Sequence, residues 1–333
     1  MKPLARYASL TRYVELCAET GVDAGPELNR VGLSLGGLAV PGQWVPAVSV
    51  VTLLENSAAV SGRDDFGLRM ATSRRLSNLG MLSVVLREEP DVRSALNVLI
   101  RYEHTYNEAL RIRLIEGDGV ARVRIWLELG HPTPDVQSLD LAAGVTCSLL
   151  REILDDTWQP VTVCLQRDAP RKPDGHRRAF GSEIVFNCAA TEIMLQQSDL
   201  DRPNRLADKL LQPHAKQVLE SLPQSGTATV SDRVCELIEL LLPVGRCSVE
   251  QVAHSLGVDR RTVHRKLAES DTTFTELVNS VRKTMATQFL PNPRYSMIDI
   301  SVMLGFSTPG SFSRWFRSQS GEAPSDWRRA HWR

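Results

Sequence analysis

Basic and polar side chains crowd one short stretch late in the chain: Arg260, Arg261, Thr262, His264 and Arg265. On a helix, Arg261, His264 and Arg265 would share one face, because residues three and four apart are neighbours there. An arginine can donate two hydrogen bonds to the O6 and N7 acceptors of guanine, and a basic face also attracts phosphates. The spacing therefore predicts contact with duplex DNA, and a solvated basic face is the plain alternative.

A second stretch of this kind lies closer to the C-terminus. Its candidate DNA contacts are Thr308, Ser311, Ser313, Arg314 and Arg317. In this stretch Arg314 is the main donor for base edges. We expect Arg317, Arg282 and Arg294 to contact phosphates or to anchor helices.

The elements that must position these side chains form a helix, a short turn and a second helix. In the C-terminal copy, an apolar helical run closes on Gly305, which can adopt the left-handed conformation at a helix end. Ser307 or Thr308 can then cap the next helix. Phe312 and Phe316, four residues apart, lie on one face and fix that helix to its module. This order predicts a helix-turn-helix unit.

The same pattern occurs twice. The matched positions are Val252 with Ile300, Leu256 with Leu304, Gly257 with Gly305, Val263 with Phe312, Arg265 with Arg314 and Leu267 with Phe316. Between the copies, apolar residues from Phe274 to Phe289 recur at helical spacing. We therefore expect two helix-turn-helix units joined by one long helix.

Residues 229–333 resemble the DNA-binding domain of AraC/XylS-type transcriptional regulators. The resemblance is carried by Ala253-x-x-Leu256-Gly257, Arg265-x-Leu267, Arg282-x-x-x-Ala286-x-x-x-Leu290, Leu304-Gly305-Phe306, Phe312-x-Arg314-x-Phe316 and Gly321-x-x-Pro324-Ser325-x-Trp327-Arg328. The preceding part resembles the arabinose-binding-like sensing domain of one AraC branch. Its marks are Arg30-Val31-Gly32-Leu33, Phe66-Gly67-Leu68-Arg69, Leu79-Gly80-Met81-Leu82, and Phe180-Gly181 with Val185-Phe186.

The resemblance implies that the chain is a sequence-specific transcriptional regulator and not an enzyme. Its N-terminal domain is then expected to sense a small molecule and to control promoter binding or activation. The implied partners are double-stranded DNA, RNA polymerase and an effector of open identity, with weak or ligand-dependent homodimers and no cofactor. Family members usually place polar, base-reading side chains where this chain has Pro309 and Gly310. The second unit is therefore expected to read fewer bases than the first.

Two alternatives to a small-molecule sensor remain at this point. One is a regulator controlled by protein partners alone, which would differ only in the N-terminal domain. The other is a DNA-repair methyltransferase fused to the same DNA module, which would need an activated nucleophilic cysteine. No cysteine here has a Pro-Cys-His-like context, which argues against that enzyme.

Composition and charge fit two domains of a water-soluble protein. The 333 residues are 23% charged and 42% hydrophobic, without an apolar run long enough for a membrane helix and without a signal-peptide pattern at the start. The six scattered cysteines predict reduced thiols and a cytoplasmic location. From Pro243 onward there are 13 Lys and Arg against 8 Asp and Glu, whereas the remainder has 26 against 31. A basic C-terminal module on an acidic domain suits phosphate binding.

The hydrophobic period changes within the N-terminal part. Helices are expected at 6–20, 26–32, 47–61, 80–86, from Asp91 through Tyr102, at 137–155 and from 174, and strands at 109–115, 120–129, 161–166, 184–186 and 191–197. This order predicts an α+β domain at 1–200. A helix and linker at 201–228 and an all-α DNA-binding domain at 229–333 follow.

The expected strands at 109–115 and 120–129 flank the turn residues 116–119 and predict a hairpin. Candidate ligand contacts lie around it: Tyr102, His104, Tyr106, Arg124 and Trp126. The alternative is that they are ordinary, partly buried side chains. His104 and Glu108 are four residues apart, but no second pair of metal-ligand type lies at a recognisable spacing, so we predict no metal site. The run His176-Arg177-Arg178 is expected to lie on the surface.

Overall fold

The computed structural model describes residues 3–208, 210–221, 230–243, 245, 247–292 and 295–331. They form two compact units, one of residues 3–41 and 45–221 and one of residues 42–44 together with those described from 230 to 331. Arg294 and residues 222–228 of the expected linker lie outside the described residues. No helix within the described ranges is both long and apolar enough to cross a membrane.

The larger unit is mixed α and β. Its helices are α1 Tyr13–Thr20, α2 Ala24–Arg30, α3 Leu35–Leu38, α4 Ala47–Ser61, α5 Phe66–Ala71, α6 Met81–Glu88, α7 Val92–Tyr102, α8 Val136–Ile153, α9 Asp174–Phe180 and α10 Gln212–Ser221. Its strands are β1 Leu4–Arg6, β2 Trp44–Pro46, β3 Leu110–Gly117, β4 Val120–Leu127, β5 Thr162–Cys164, β6 Glu183–Val185 and β7 Thr191–Gln196. Short 3-10 turns occupy Tyr7–Leu10, Leu76–Leu79, Glu103–Thr105 and Gln197–Asp201. The predicted α+β class is confirmed.

The main sheet is built on the predicted hairpin. Asp118 and Gly119, at φ 56° and 78°, form the tight turn in which both residues are left-handed, and this turn matches the twist of the flanking strands. The strand order is β3-β4-β7-β5-β6. All neighbours are antiparallel except β5 and β6. Ile112 pairs with Ile125 across the hairpin, and both side chains are buried.

Helix α8 packs closely on α5. A Cβ at Gly67 would lie 1.9 Å from the carbonyl oxygen of Gln137, and one at Gly144 would lie 2.6 Å from the Cβ of Ala71. No side chain fits at these two crossings, so glycine lets the helix backbones approach. The close contact holds one side of α8 while another side, with Leu141 and Val145, faces a cavity.

The smaller unit is helical throughout its described residues. Its helices are α11 Val230–Leu241, α12 Val249–Ser255, α13 Arg260–Ala268, α14 Phe274–Phe289, α15 Met297–Met303, α16 Pro309–Ser320 and α17 Pro324–His331. Helices α12 and α13 form one helix-turn-helix pair, and α15 and α16 form the other. Helix α14, which begins at a capping box between Thr273 and Glu276, connects them as predicted.

Candidate nucleic-acid interface and internal cavity

Helix α13 presents the first predicted group of donors to solvent. Its N-terminus is capped by Asp259, which accepts from the backbone N–H of Thr262 at 2.8 Å and from the Thr262 hydroxyl at 3.1 Å. These hydrogen bonds lower the pKa of Asp259. Val263 and Leu267 are buried, with exposures of 1% and 0%. The helix is thereby held with its polar face outward.

That outward face carries Arg260, Arg261, His264 and Arg265, all of which are exposed, while Thr262 is half-buried. Arg265 pairs with Glu269 at 3.3 Å, and Arg260 pairs with Glu250 at 3.3 Å. Exposed pairs of this kind contribute little to stability because water and salt screen them, so either arginine can exchange its carboxylate for a phosphate or a base. Within the described residues, Arg261 forms no ion pair. The geometry fits the predicted donor face.

Helix α16 presents the second group with fewer free donors. Thr308 caps the helix by accepting from the N–H of Ser311, and the Ser311 hydroxyl donates back to the Thr308 carbonyl oxygen at 2.7 Å. Arg314 and Arg317 are exposed and Ser313 is half-buried, with Phe312 and Phe316 turned into the core. Because the local cap occupies Thr308 and Ser311, Arg314 and Arg317 are the donors most available to DNA.

Arg282 anchors a turn and does not face outward like these residues. Its Nε donates to the carbonyl oxygen of Leu304 at 2.9 Å, and Nη2 lies 3.5 Å from that of Gly305. Burial lowers the pKa of this guanidinium. Of the two roles expected for Arg282, phosphate contact or helix anchoring, the structure supports anchoring.

The larger unit contains a cavity of about 100 Å³. Helices α4, α7 and α8 and strands β3 and β4 supply its aliphatic wall: Val50, Val51, Leu54, Leu99, Leu110, Ile112, Leu127, Leu141, Val145 and Leu149. Its polar wall includes Ser9, Arg74, Asn78, Tyr106, Asn107, Ser138 and Thr146. A concave, mostly apolar space with a few polar groups is typical of small-molecule sites.

The structure brings only part of the predicted ligand set to this cavity. Tyr106 lines it, and its hydroxyl lies 3.2 Å from Nη1 of Arg74. Tyr102 is a core residue with an exposure of 2%, and His104 stacks on it. The Nε1–H of Trp126 donates to Glu128 at 3.2 Å, and Arg124 is exposed and pairs with Glu192 at 2.7 Å. These four lie away from the wall of this cavity.

Sequence reasoning missed Arg74. It follows α5 in a segment without hydrophobic period, so its burial depends on distant contacts with the carbonyl oxygens of Ala8 and Ser9. His176 corrects a second expectation, because its exposure is 0% where a surface run was predicted. Asp140 accepts from its Nε2 at 3.0 Å and from Arg167 at 2.6 Å, which makes a buried ion cluster.

Comparison with known proteins gives matches over both units. Residues 21–204 match the model of the arabinose-binding domain of AraC transcription regulators, and residues 233–330 match a helix-turn-helix domain. The HTH-type transcriptional regulator VirS of Mycobacterium tuberculosis is 29% identical over 98% of this chain and 96% of its own. An uncharacterized HTH-type transcriptional regulator of the same species is 36% identical over 95% and 93%. The ornithine utilization regulator of Pseudomonas aeruginosa is 23% identical over 95% and 94%. The crystal structure of the regulator CdpR of Pseudomonas aeruginosa has a TM-score of 0.42 at 22% identity, over 91% of this chain and 97% of its own.

Proposed function

The chain belongs to the family of AraC transcriptional regulators, and on this premise we propose that it binds specific duplex sites under the control of a small molecule held in its larger unit. Its relatives are regulators and not enzymes. We assign residues 1–200 to sensing, 201–228 to a helix and linker, and 229–333 to DNA binding. Further proposed features are contact with RNA polymerase, weak or ligand-dependent dimers and a cytoplasmic location.

The observation that supports the proposed DNA binding is the exposed face of α13. Arg261, His264 and Arg265 are exposed on one side of a capped helix whose other side is fixed by buried Val263 and Leu267. In helix-turn-helix proteins the second helix of the pair enters the major groove with its N-terminal residues against base edges. A capped helix fixes the donors before binding, which reduces the entropy lost when they meet the bases.

The observation that supports control by a small molecule is the cavity beside Arg74 and Tyr106. A ligand that binds one state of the larger unit more tightly than another shifts the balance between them. We propose that this balance sets how well the smaller unit engages its promoter.

The test is a selection of binding sites by the full-length chain from a random duplex library, followed by affinity measurements at increasing salt. We expect enrichment of one motif and a steep fall in affinity with salt, because bound arginines displace counterions from phosphates. Arg261→Ala and Arg265→Ala should each weaken binding to the selected site by about 5- to 150-fold. Arg113→Ala, at an exposed position on β3, is the matched control. Absence of an enriched motif, or equal loss in the control, would contradict the proposal.

A further inference from the structure

Arg74 is a buried cation at the wall of the cavity in the larger unit. Its exposure is 5%. Nη1 donates to the carbonyl oxygen of Ala8 at 2.8 Å and to the hydroxyl of Tyr106 at 3.2 Å, and Nη2 donates to the carbonyl oxygen of Ser9 at 2.7 Å. Its Nε has no hydrogen-bond partner within the described part of the protein. The side chain is therefore fixed in place with its Nε–H left without a partner.

The charge of Arg74 is also uncompensated. Among the described residues, no carboxylate forms an ion pair with it, although most other arginines of this unit with low exposure have one, such as Arg167 with Asp140. Carbonyl and hydroxyl oxygens satisfy individual N–H groups but do not neutralise a guanidinium. A buried charge without a counter-charge is unfavourable because it has lost its hydration, and an anionic ligand would relieve that cost.

Two further buried polar atoms at this cavity have no hydrogen-bond partner among the described residues. The hydroxyl oxygens of Ser9 and Ser138 are buried and make no hydrogen bond to any described residue. Both residues line the cavity together with Arg74. A leftover guanidinium donor and two hydroxyls suit a carboxylate, which accepts several hydrogen bonds through its two oxygens.

The rest of the cavity limits the body of the ligand. Side chains of α4 and α8 such as Leu54, Val145 and Leu149 form an aliphatic wall. A pentose carries a hydroxyl on nearly every carbon, and these hydroxyls would be left without partners against that wall. A cavity of roughly 150 Å³ holds the six non-hydrogen atoms of benzene, so a space of about 100 Å³ suits a ligand of at most about six non-hydrogen atoms.

We propose that this cavity binds a short aliphatic monocarboxylate whose carboxylate pairs with Arg74 and whose chain lies against the aliphatic wall. The inference rests on the proposed function, because it names the chemical class of the effector. Acids of about three or four carbons are the expected size.

The experiment measures ligand binding to the full-length chain by calorimetry and thermal shift, and binding of the selected duplex in the same samples. The probes are propanoate, butanoate and 2-methylpropanoate, with 2-methylpropanamide as an uncharged ligand of matched shape and L-arabinose as the sugar. We expect 2-methylpropanoate to raise the melting temperature, and 2-methylpropanamide to bind at least about tenfold more weakly because the ion pair with Arg74 is lost.

Two variants locate the site. Arg74→Gln should abolish the preference for acid over amide. Since Arg74 also holds the backbone at Ala8 and Ser9, that variant can fail to fold, and Val145→Phe provides a second test that leaves Arg74 in place. It should fill the cavity and abolish binding of the acid while the melting temperature without ligand stays close to that of the wild type. Arg113→Gln is the control.

The outcomes separate this inference from the function on which it rests. Equal binding of acid and amide, binding of L-arabinose alone, or acid binding that survives Val145→Phe would overturn the carboxylate site. Specific DNA binding without any response to the acids would also overturn it, while leaving a DNA-binding regulator. Acid binding that depends on Arg74, in a chain that selects no DNA motif, would support the site and overturn the proposed function.

Discussion

The guanidinium carbon of Arg282 lies 4.3 Å from the centroid of the Phe306 ring. Arg282 belongs to the connecting helix α14, and Phe306 belongs to the turn between α15 and α16. The same guanidinium donates to the carbonyl oxygen of Leu304. One side chain thus stacks on the turn and satisfies its backbone. These contacts fix the position of α16, the second helix expected to contact bases, relative to α14.

Replacement of Arg282 should destabilise the smaller unit even when the charge is kept. Arg282→Lys retains the cation but loses the planar face over Phe306 and the directed N–H groups, so we expect a loss of about 1–2 kcal/mol. The measurement is the urea midpoint of the full chain, followed by tryptophan fluorescence. Arg314→Lys, at an exposed position on α16, should change stability by less than about 0.5 kcal/mol. Equal effects of the two substitutions would remove the structural role assigned to Arg282.

Substitution by alanine should change the stability in opposite directions at two glycines of the second helix-turn-helix pair. Gly305 has φ +70°, and a Cβ there would lie 3.1 Å from the carbonyl oxygen of Leu242. We expect Gly305→Ala to cost about 1–2 kcal/mol of folding free energy. Gly310 lies in α16, and a Cβ there would have its nearest neighbour at 4.0 Å. Gly310→Ala should therefore stabilise the folded chain by about 0.5–1 kcal/mol. Thermal unfolding of both variants checks this pair, and destabilisation by Gly310→Ala would contradict it.

Glu103 should make stability depend on pH. Burial raises its pKa from 4.5 to about 7, although its carboxylate accepts from the N–H of Ile112 at 2.8 Å. The folded chain therefore binds more protons at this site than the unfolded chain between about pH 4.5 and 7. The contribution of Glu103 to the unfolding free energy thus falls as pH rises through this window.

Glu103→Gln should remove this dependence because an amide does not titrate, while its oxygen can still accept from Ile112. At pH 8 we expect the variant to be more stable than the wild type by roughly 1–2 kcal/mol, less than the full shift would give because some water still reaches the carboxyl. The difference should vanish near pH 4.5. Denaturant unfolding of both proteins across this range measures it, and a difference that grows toward low pH would have the wrong sign.

Some features could be predicted because local signals and packing agree. Thr308 caps α16 and Gly305 is left-handed, as their residue types predicted. The hairpin turn at Asp118 and Gly119 and the helix cap at Asp91 also depend only on neighbouring residues. In each case, residues close in sequence determine the conformation.

Other features depend on contacts between distant residues, and pattern alone did not reveal them. Strand β1 pairs with β2 across a long sequence separation, and each is too short to show a period. His176 sits in a basic run, yet Asp140 draws it into the interior. Arg74 is a cavity residue only because the backbone near Ala8 folds over it. Polar residues buried by long-range hydrogen bonds look like surface residues in a sequence.

The two reading helices should contribute unequally to specificity. Helix α13 carries the exposed hydrogen-bonding side chains of Arg261, His264 and Arg265 on one face. Helix α16 begins with Pro309 and Gly310, and its Ser311 hydroxyl is engaged by the cap. The half-site under α13 should therefore contain most of the sequence information, while α16 adds affinity through phosphates and groove shape.

Selection from a randomised duplex library, carried out on wild type and variants, measures this asymmetry. Arg265→Ala and Arg261→Ala should each cost about 1–3 kcal/mol and relax one base position in the half-site under α13. Gly310→Gln should sharpen preference in the other half-site by supplying an amide that can pair with adenine. Gly310→Ala is its matched control, since it makes the same change to the helix backbone without a donor, and should leave the motif unaltered. Equal information in both half-sites of the wild-type motif would refute the asymmetry, and so would equal sharpening by glutamine and alanine.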